Sequence, residues 1–78
     1  MKTIKLYTKS NCHLCEDAKQ LLLVVKEEVD FKWKEVDIYT DDILLEKYQL
    51  MIPVVEVDGI EVDYGQINYD TILQAIKS

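Results

Sequence analysis

The sequence TIKLYTKSNCHLC, residues 3–15, changes from a strand-like to a helix-like pattern and contains both cysteines of the chain, Cys12 and Cys15. Apolar and polar side chains alternate before residue 9, which is typical of a β-strand with one buried face. From Cys12 onward the apolar residues recur three or four positions apart, which predicts a helix that ends near Val29. The predicted buried stripe of this helix consists of Leu14, Ala18, Leu22, Val25 and Val29. Asn11 or Cys12 is the predicted N-cap, so the two cysteines fall at the start of the helix.

The rest of the chain predicts three more strands and two more helices. These elements are a strand at 31–38, a short helix from 40 to about 48, strands at 54–57 and 60–62, and a helix from 68 onward. Their clearest signals are the helix start Thr40-Asp41-Asp42, the strand-opening Pro53, the turn pair Asp58-Gly59 and the helix cap Asn68. Glu35 interrupts the alternation of the second strand.

The predicted element order is β-α-β-α-β-β-α. A strand, a crossover helix and a second strand make a parallel pair, whereas the closing hairpin must be antiparallel. The sequence therefore predicts one α/β domain over residues 1–78, with a mixed four-stranded sheet and helices packed against it.

Composition and charge exclude several classes of protein. Apolar residues make up 49% of the chain, which is typical of a folded domain rather than a disordered one. The net charge is −6, and the nine basic residues are all scattered lysines, so no nucleic-acid partner is expected. The longest apolar run is Leu21–Val25, far too short to span a membrane, and residues 1–7 do not resemble a signal peptide. We therefore expect a cytoplasmic monomer with no membrane partner.

The spacing of the cysteines indicates the chemistry. In a chain without a secretion signal, C-x-x-C is typical of a redox pair or of half a metal site. The N–H groups and dipole at a helix start favour a thiolate, so Cys12 is the expected nucleophile and Cys15 the expected resolving thiol. His13 either stabilises that thiolate further or is a solvated side chain. Three alternatives stay open: a structural disulfide, a metal or iron–sulfur module that uses the same cysteines, and a redox-inactive interaction domain.

Two segments together carry a family resemblance. Lys9-Ser10-Asn11-Cys12-His13-Leu14-Cys15 after a first strand, followed by Met51-Ile52-Pro53-Val54 at a later one, resembles the glutaredoxins of the thioredoxin superfamily. The likeness is closest to the small glutaredoxin-like proteins with a Cys-His-Leu-Cys active site, and it covers essentially the whole chain. It implies a thiol–disulfide oxidoreductase that reduces protein disulfides or glutathione mixed disulfides. Such a reaction needs no tightly bound cofactor; glutathione is its co-substrate, and glutathione or a separate reductase resets the cysteines. We expect no metal, because the chain has a single C-x-x-C and a single histidine.

The resemblance also implies roles for residues outside the cysteine pair. It implies a cis peptide bond between Ile52 and Pro53, with the backbone of Ile52 offered to an extended peptide or to glutathione. Glutaredoxins keep a lysine three residues before the first cysteine, here Lys9, which pairs with a glutathione carboxylate. The remaining residues that the resemblance places along the substrate groove are His13, Tyr64 and Gly65.

The chain departs from the glutaredoxin pattern in two places. His-Leu stands where typical glutaredoxins have Pro-Tyr between the cysteines. Gly65 stands alone where they have a Gly-Gly pair that receives the γ-glutamyl end of glutathione.

Overall fold

Four strands and three α-helices follow one another along the chain in the predicted order. The computed structural model describes all residues from 1 to 78. Its elements are β1 (Thr3–Thr8), α1 (His13–Glu28), β2 (Lys32–Asp37), α2 (Asp42–Tyr48), β3 (Val54–Val57), β4 (Ile60–Tyr64) and α3 (Tyr69–Lys77). The prediction of an α/β fold is confirmed. Its bounds needed small corrections, because a 3-10 turn at Ile38–Thr40 ends β2 early and β4 runs on to Tyr64.

One end of the sheet brings together the C-terminal ends of β1, β2 and β4 and the start of β3. Its strand order is β2-β1-β3-β4, with β1 parallel to β2 and the other neighbouring pairs antiparallel. Thr8 lies opposite Asp37, Tyr7 opposite Val54, and Val54 opposite Tyr64. We call this end of the sheet the site end. The segment that carries the cysteines follows β1 at the site end, and Pro53 precedes β3 at the site end.

One face of the sheet packs against α1 and α3. Ile4 and Leu6 of β1 are fully buried in this larger core. The other buried members are Ala18, Leu22, Val25, Phe31, Val55, Val57, Ile72 and Ile76. The prediction that Leu14 belongs to the buried stripe of α1 was wrong, since 43% of this residue is exposed. Cys15 takes the inward position instead, because residues 15, 18, 22 and 25 share one helical face.

The opposite face carries a smaller core under α2. Tyr7, Ile38, Tyr48 and Val54 form this cluster, with the rings of Tyr7 and Tyr48 tilted and their centroids 4.8 Å apart. Burial and the neighbouring Glu56 carboxylate raise the pKa of Tyr7 to about 12. The packing of Tyr48 against Tyr7 holds the C-terminal end of α2 on the sheet.

The helix caps and the hairpin turn are formed by the residues that the sequence predicted for them. Asp41 caps α2 through the N–H of Ile43, and Asn68 caps α3 through the N–H of Thr71. Asp58 and Gly59 both have positive φ angles, 49° and 85°, as a tight hairpin turn requires. No helix combines the length and the apolar character that crossing a membrane would need.

Candidate active site

Cys12 and Cys15 form a disulfide at the N-terminus of α1. Their Cα atoms are 5.2 Å apart. Cys12 is the N-cap, and its sulfur accepts a hydrogen bond of 3.2 Å from the backbone N–H of Cys15. Cys15 is 1% exposed, whereas Cys12 is partly exposed. An incoming group can therefore reach Cys12, while Cys15 is shielded behind it.

Asn11 turns the chain from β1 into α1. Its φ angle is 55°, in the left-handed region that asparagine adopts more readily than most residues. The turn leaves Lys9, Ser10 and Asn11 exposed and places Cys12 in the extended conformation of an N-cap. The local sequence thus sets the position of the reactive sulfur.

A polar network lies beside this turn. Glu35 of β2 accepts a hydrogen bond of 2.7 Å from the hydroxyl of Thr8, which is 2% exposed, and one of 2.9 Å from the ammonium of Lys19. Lys19 also pairs with Glu16 at 3.1 Å. Burial alone would raise the pKa of Glu35, but the hydrogen bonds from Lys19 and Thr8 outweigh it and hold that pKa below the ordinary value. Hydrogen bonds to Glu35 and Glu16 raise the pKa of Lys19, so the network keeps Lys19 and Glu35 ionised.

The lowered pKa of Glu35 predicts an acid-dependent loss of stability. A carboxylate whose pKa is lowered by folding adds stability above its ordinary value of 4.5, and this contribution is lost as the pH falls through the lower, folded value. Because 39% of the Glu35 side chain is exposed, water screens the contacts, and Glu35→Gln should cost at most about 1 kcal/mol at neutral pH. Urea unfolding between pH 3 and 7 should show the difference from the unmodified protein shrinking below pH 4.5.

Glu46→Gln is the matched control for this measurement, since Glu46 is an exposed carboxylate of α2 without an ion pair. Its unfolding free energy should differ little from that of the unmodified protein at any pH. A Glu35→Gln deficit that stays constant down to pH 3 would contradict the assignment of the network to the ionised carboxylate.

The second part of the site is the segment that enters β3. The Ile52–Pro53 peptide bond is cis, and Pro53 is buried. The N–H of Gly65 donates to the carbonyl of Pro53 at 2.8 Å and to that of Met51 at 3.1 Å. Gly65 has a φ angle of 71°, which is accessible to glycine without strain. Gly65 therefore fastens this segment to the end of β4.

The backbone of Ile52 is only half available to a ligand. Its N–H already donates to the carbonyl of Tyr48 at 3.2 Å, beside a bond of 2.8 Å from Met51 to the same carbonyl. The resemblance implied that both backbone groups of Ile52 meet a peptide or glutathione. In this structure the carbonyl is the group left to accept a hydrogen bond.

The other site residues that the sequence predicted also lie around the site end of the sheet. His13 is exposed and borders a recess with Cys12, while Lys9 lies on the neighbouring loop and forms no ion pair. Tyr64 is 60% exposed and stands next to Gly65 at the end of β4. The chain places no group of three or more His, Cys, Asp or Glu side chains where they could hold a metal ion.

Sequence reasoning missed the network of Glu16, Lys19 and Glu35. The only local signal for this network was Glu35, a charged residue at a position of β2 where the alternation predicts an apolar one. Its side chain points to the same face as Thr8 and meets α1 there. A contact between residues this far apart in the sequence depends on the packing of α1 against β2.

The fold and the disulfide define a thioredoxin-like protein with a C-x-x-C cysteine pair. The chain belongs to the family described as Glutaredoxin-like domain (DUF836), whose model matches residues 3–77. The resemblance stated from the sequence is thereby confirmed. Among curated proteins, none matches the chain.

Solved structures support the same fold. The chain is similar to protein Ne2328 from Nitrosomonas europaea, with 23% identity, a TM-score of 0.82, and coverage of 91% of this chain and 86% of that one. It is also similar to protein XcR50 from X. campestris, with 25% identity, a TM-score of 0.73, and coverage of 95% of each chain. A mutant thioredoxin from Halobacterium salinarum matches at 17% identity and a TM-score of 0.71, with coverage of 97% of this chain and 72% of that one.

Proposed function

We propose that the protein is a cytoplasmic thiol–disulfide oxidoreductase that reduces protein disulfides or glutathione mixed disulfides. The observation that carries the proposal is the Cys12–Cys15 disulfide at the start of α1, with one sulfur accessible and the other buried. A disulfide that only stapled the fold would gain little here, because its ring lies within a single helical turn and joins no distant parts of the chain.

In the reduced protein, Cys12 is the nucleophile. The N–H of Cys15 already points at its sulfur, and a hydrogen bond to the charged form favours the thiolate. The start of α1 adds the positive end of the helix dipole. We therefore expect Cys12 to react as the thiolate in the reduced protein.

The cycle needs no group other than the two thiols and an external reductant. The Cys12 thiolate attacks one sulfur of the substrate disulfide, forms a mixed disulfide and releases one substrate thiolate. The Cys15 thiolate then attacks the Cys12 sulfur, releases the second substrate thiolate and closes the Cys12–Cys15 disulfide. Two electrons pass to the substrate, and both leaving thiolates take protons from water. A thiol such as glutathione, or a dithiol reductase, restores the reduced pair by the reverse exchange.

A glutathione redox titration, read by the intact mass of the protein at each ratio, tests the proposal. We expect the reduced chain to lose two hydrogens without an adduct, at a potential near that of the cytosolic glutathione pool. A persistent glutathione adduct would instead support a monothiol reaction at Cys12. No change across the range would contradict the proposal and favour a metal module or a redox-inactive interaction domain. Zinc retained after gel filtration, or colour in the purified protein, would then distinguish these two.

A further inference from the structure

A recess that shares Asn11 and Glu16 with the depression around Cys12 carries more negative than positive charge. This recess of about 470 Å³ lies between the loop after β1, the first turns of α1 and β2, and none of its lining residues is hydrophobic. Its charged residues are Lys9, Glu16, Lys19, Glu35 and Asp37. Three carboxylates therefore face two ammonium groups. The volume is within the range of small-ligand sites, so one half of a small disulfide could enter this recess.

Glu16 connects this recess to the reactive sulfur. It lines the recess and also borders the smaller depression that contains Cys12 and His13. The backbone N–H of Glu16 donates to the carbonyl of Cys12 at 3.2 Å, so Glu16 lies one turn along α1 from the N-cap. Its side chain is 67% exposed, and because its partner Lys19 is shared with Glu35, the group of three charges keeps a net negative charge that an incoming substrate meets.

The positive charges of the recess are unequally available. Lys19 is held between Glu16 and Glu35, at 3.1 and 2.9 Å, so its charge is already matched by two carboxylates. Asp37 accepts a hydrogen bond from the N–H of Tyr39 and adds a third carboxylate to the wall. Lys9 is the one cation of the recess without an ion pair. An anionic substrate would thus meet one free ammonium group and an excess of carboxylates.

We infer that Glu16 is a specificity-determining residue that makes Cys12 react preferentially with positively charged disulfides, such as a disulfide flanked by basic residues in a protein. This inference rests on the proposed oxidoreductase function and narrows its substrate class. The charge of the wall disfavours the approach of glutathione disulfide, which is an anion, and favours that of a cation. The thiolate attack and the release of two substrate thiolates are unchanged; only the rate of encounter and the stability of the mixed disulfide differ.

Single-turnover oxidation of the reduced protein by three disulfides tests the inference. Cystamine is the cationic probe, 2-hydroxyethyl disulfide the neutral one and glutathione disulfide the anionic one. Each rate is read by intact mass after acid quenching and divided by the rate of dithiothreitol with the same disulfide, which corrects for leaving-group reactivity. We expect the normalised rates to fall in the order cationic, neutral, anionic at low salt. The differences should nearly vanish in about 1 M salt, where the Debye length is about 3 Å.

Two substitutions of opposite sign make the test specific. Glu16→Gln should slow the cationic probe and speed the anionic one by about threefold each, the scale of a unit charge one helical turn away in water. Lys19→Gln should shift the preference the other way, since it leaves Glu16 and Glu35 without their cation. Glu27→Gln is the matched control, because it changes the net charge equally but lies eleven residues, or about 16 Å, further along α1.

Several outcomes would overturn the inference while leaving the oxidoreductase proposal intact. These are equal normalised rates for the three probes, a fastest reaction with glutathione disulfide, or an effect of Glu27→Gln as large as that of Glu16→Gln. In the last case only the net charge would steer the substrate. A protein that reacts with none of the three probes would overturn the oxidoreductase proposal itself.

Discussion

Cys12→Ser is expected to abolish disulfide reduction. Cys12 is the only one of the two sulfurs that a substrate can reach, and a serine hydroxyl does not ionise to form a comparable nucleophile. The fold should be retained, because Cys12 is partly exposed and serine is itself a good N-cap residue. Reduction of a protein disulfide, followed in the presence of dithiothreitol, should fall to the rate of dithiothreitol alone, while the thermal unfolding curve of the reduced protein hardly changes.

Cys15→Ser should give a different result from Cys12→Ser. The first attack on a substrate disulfide still occurs, but no second thiol is present to release the product, so a mixed disulfide at Cys12 accumulates. Intact mass should show one substrate half bound to each chain, removable by excess reductant. Two outcomes would reverse or remove these roles: a trapped adduct on Cys15 in the Cys12→Ser protein, or the same full turnover in both variants.

The order of elements was predictable because each boundary has a local cause. Asp58-Gly59 provides the positive φ angles of a tight turn, Asn68 provides an acceptor for a helix N-terminus, and Pro53 is confined to the start of a strand. Each of these preferences acts over a few residues, so the sequence alone exposes it. The position of the cysteines at the start of α1 follows from the same kind of local signal.

Contacts between distant residues were not predictable in this way. The contacts of Glu35 with Thr8 and Lys19 explain why a charged residue interrupts the alternation of β2. These two partners are 27 and 16 residues away from Glu35 in the chain, so no local pattern indicates them. Leu14 fits a helical stripe as well as Cys15 does, and the packing of α1 on the sheet decides which of them is buried. The resemblance implies that Ile52 offers its backbone to a ligand, but a turn that follows α2 already occupies its N–H.

Tyr48 holds the turn between α2 and Pro53 in place. The side chain of Tyr48 is 2% exposed, and its hydroxyl donates a hydrogen bond of 2.7 Å to Glu61 of β4. Lys47 pairs with the same carboxylate at 3.4 Å. Burial and the bond to Glu61 raise the pKa of Tyr48, so the hydroxyl keeps its proton. The backbone carbonyl of the same residue holds the N–H groups of both Met51 and Ile52. Tyr48 therefore links the packing of α2 to the position of the segment before Pro53.

We expect substitutions of Tyr48 to have the largest effect on stability among the polar contacts described above. Tyr48→Phe keeps the ring against Tyr7 and removes one hydrogen bond, which should cost about 1 kcal/mol and lower the melting temperature by about 4–8 °C. Tyr48→Ala also removes the ring and leaves a cavity, which should cost about 3–5 kcal/mol. Urea and thermal unfolding measure both values. Tyr39→Phe is the matched control, since it removes a hydroxyl from a residue that is 63% exposed.

The role of Tyr48 as a positioning residue requires more than a loss of stability. Hydrogen exchange at the amides of Met51 and Ile52 should accelerate in Tyr48→Ala well below the temperature at which the variant unfolds, while exchange in the middle of α1 should change less. The KM for a protein disulfide should rise, whereas the rate at which a small alkylating reagent modifies Cys12 should stay the same. Equal acceleration of exchange in α1 and at residues 51–52 would mean that Tyr48 supports the whole fold and has no particular influence on the segment before Pro53.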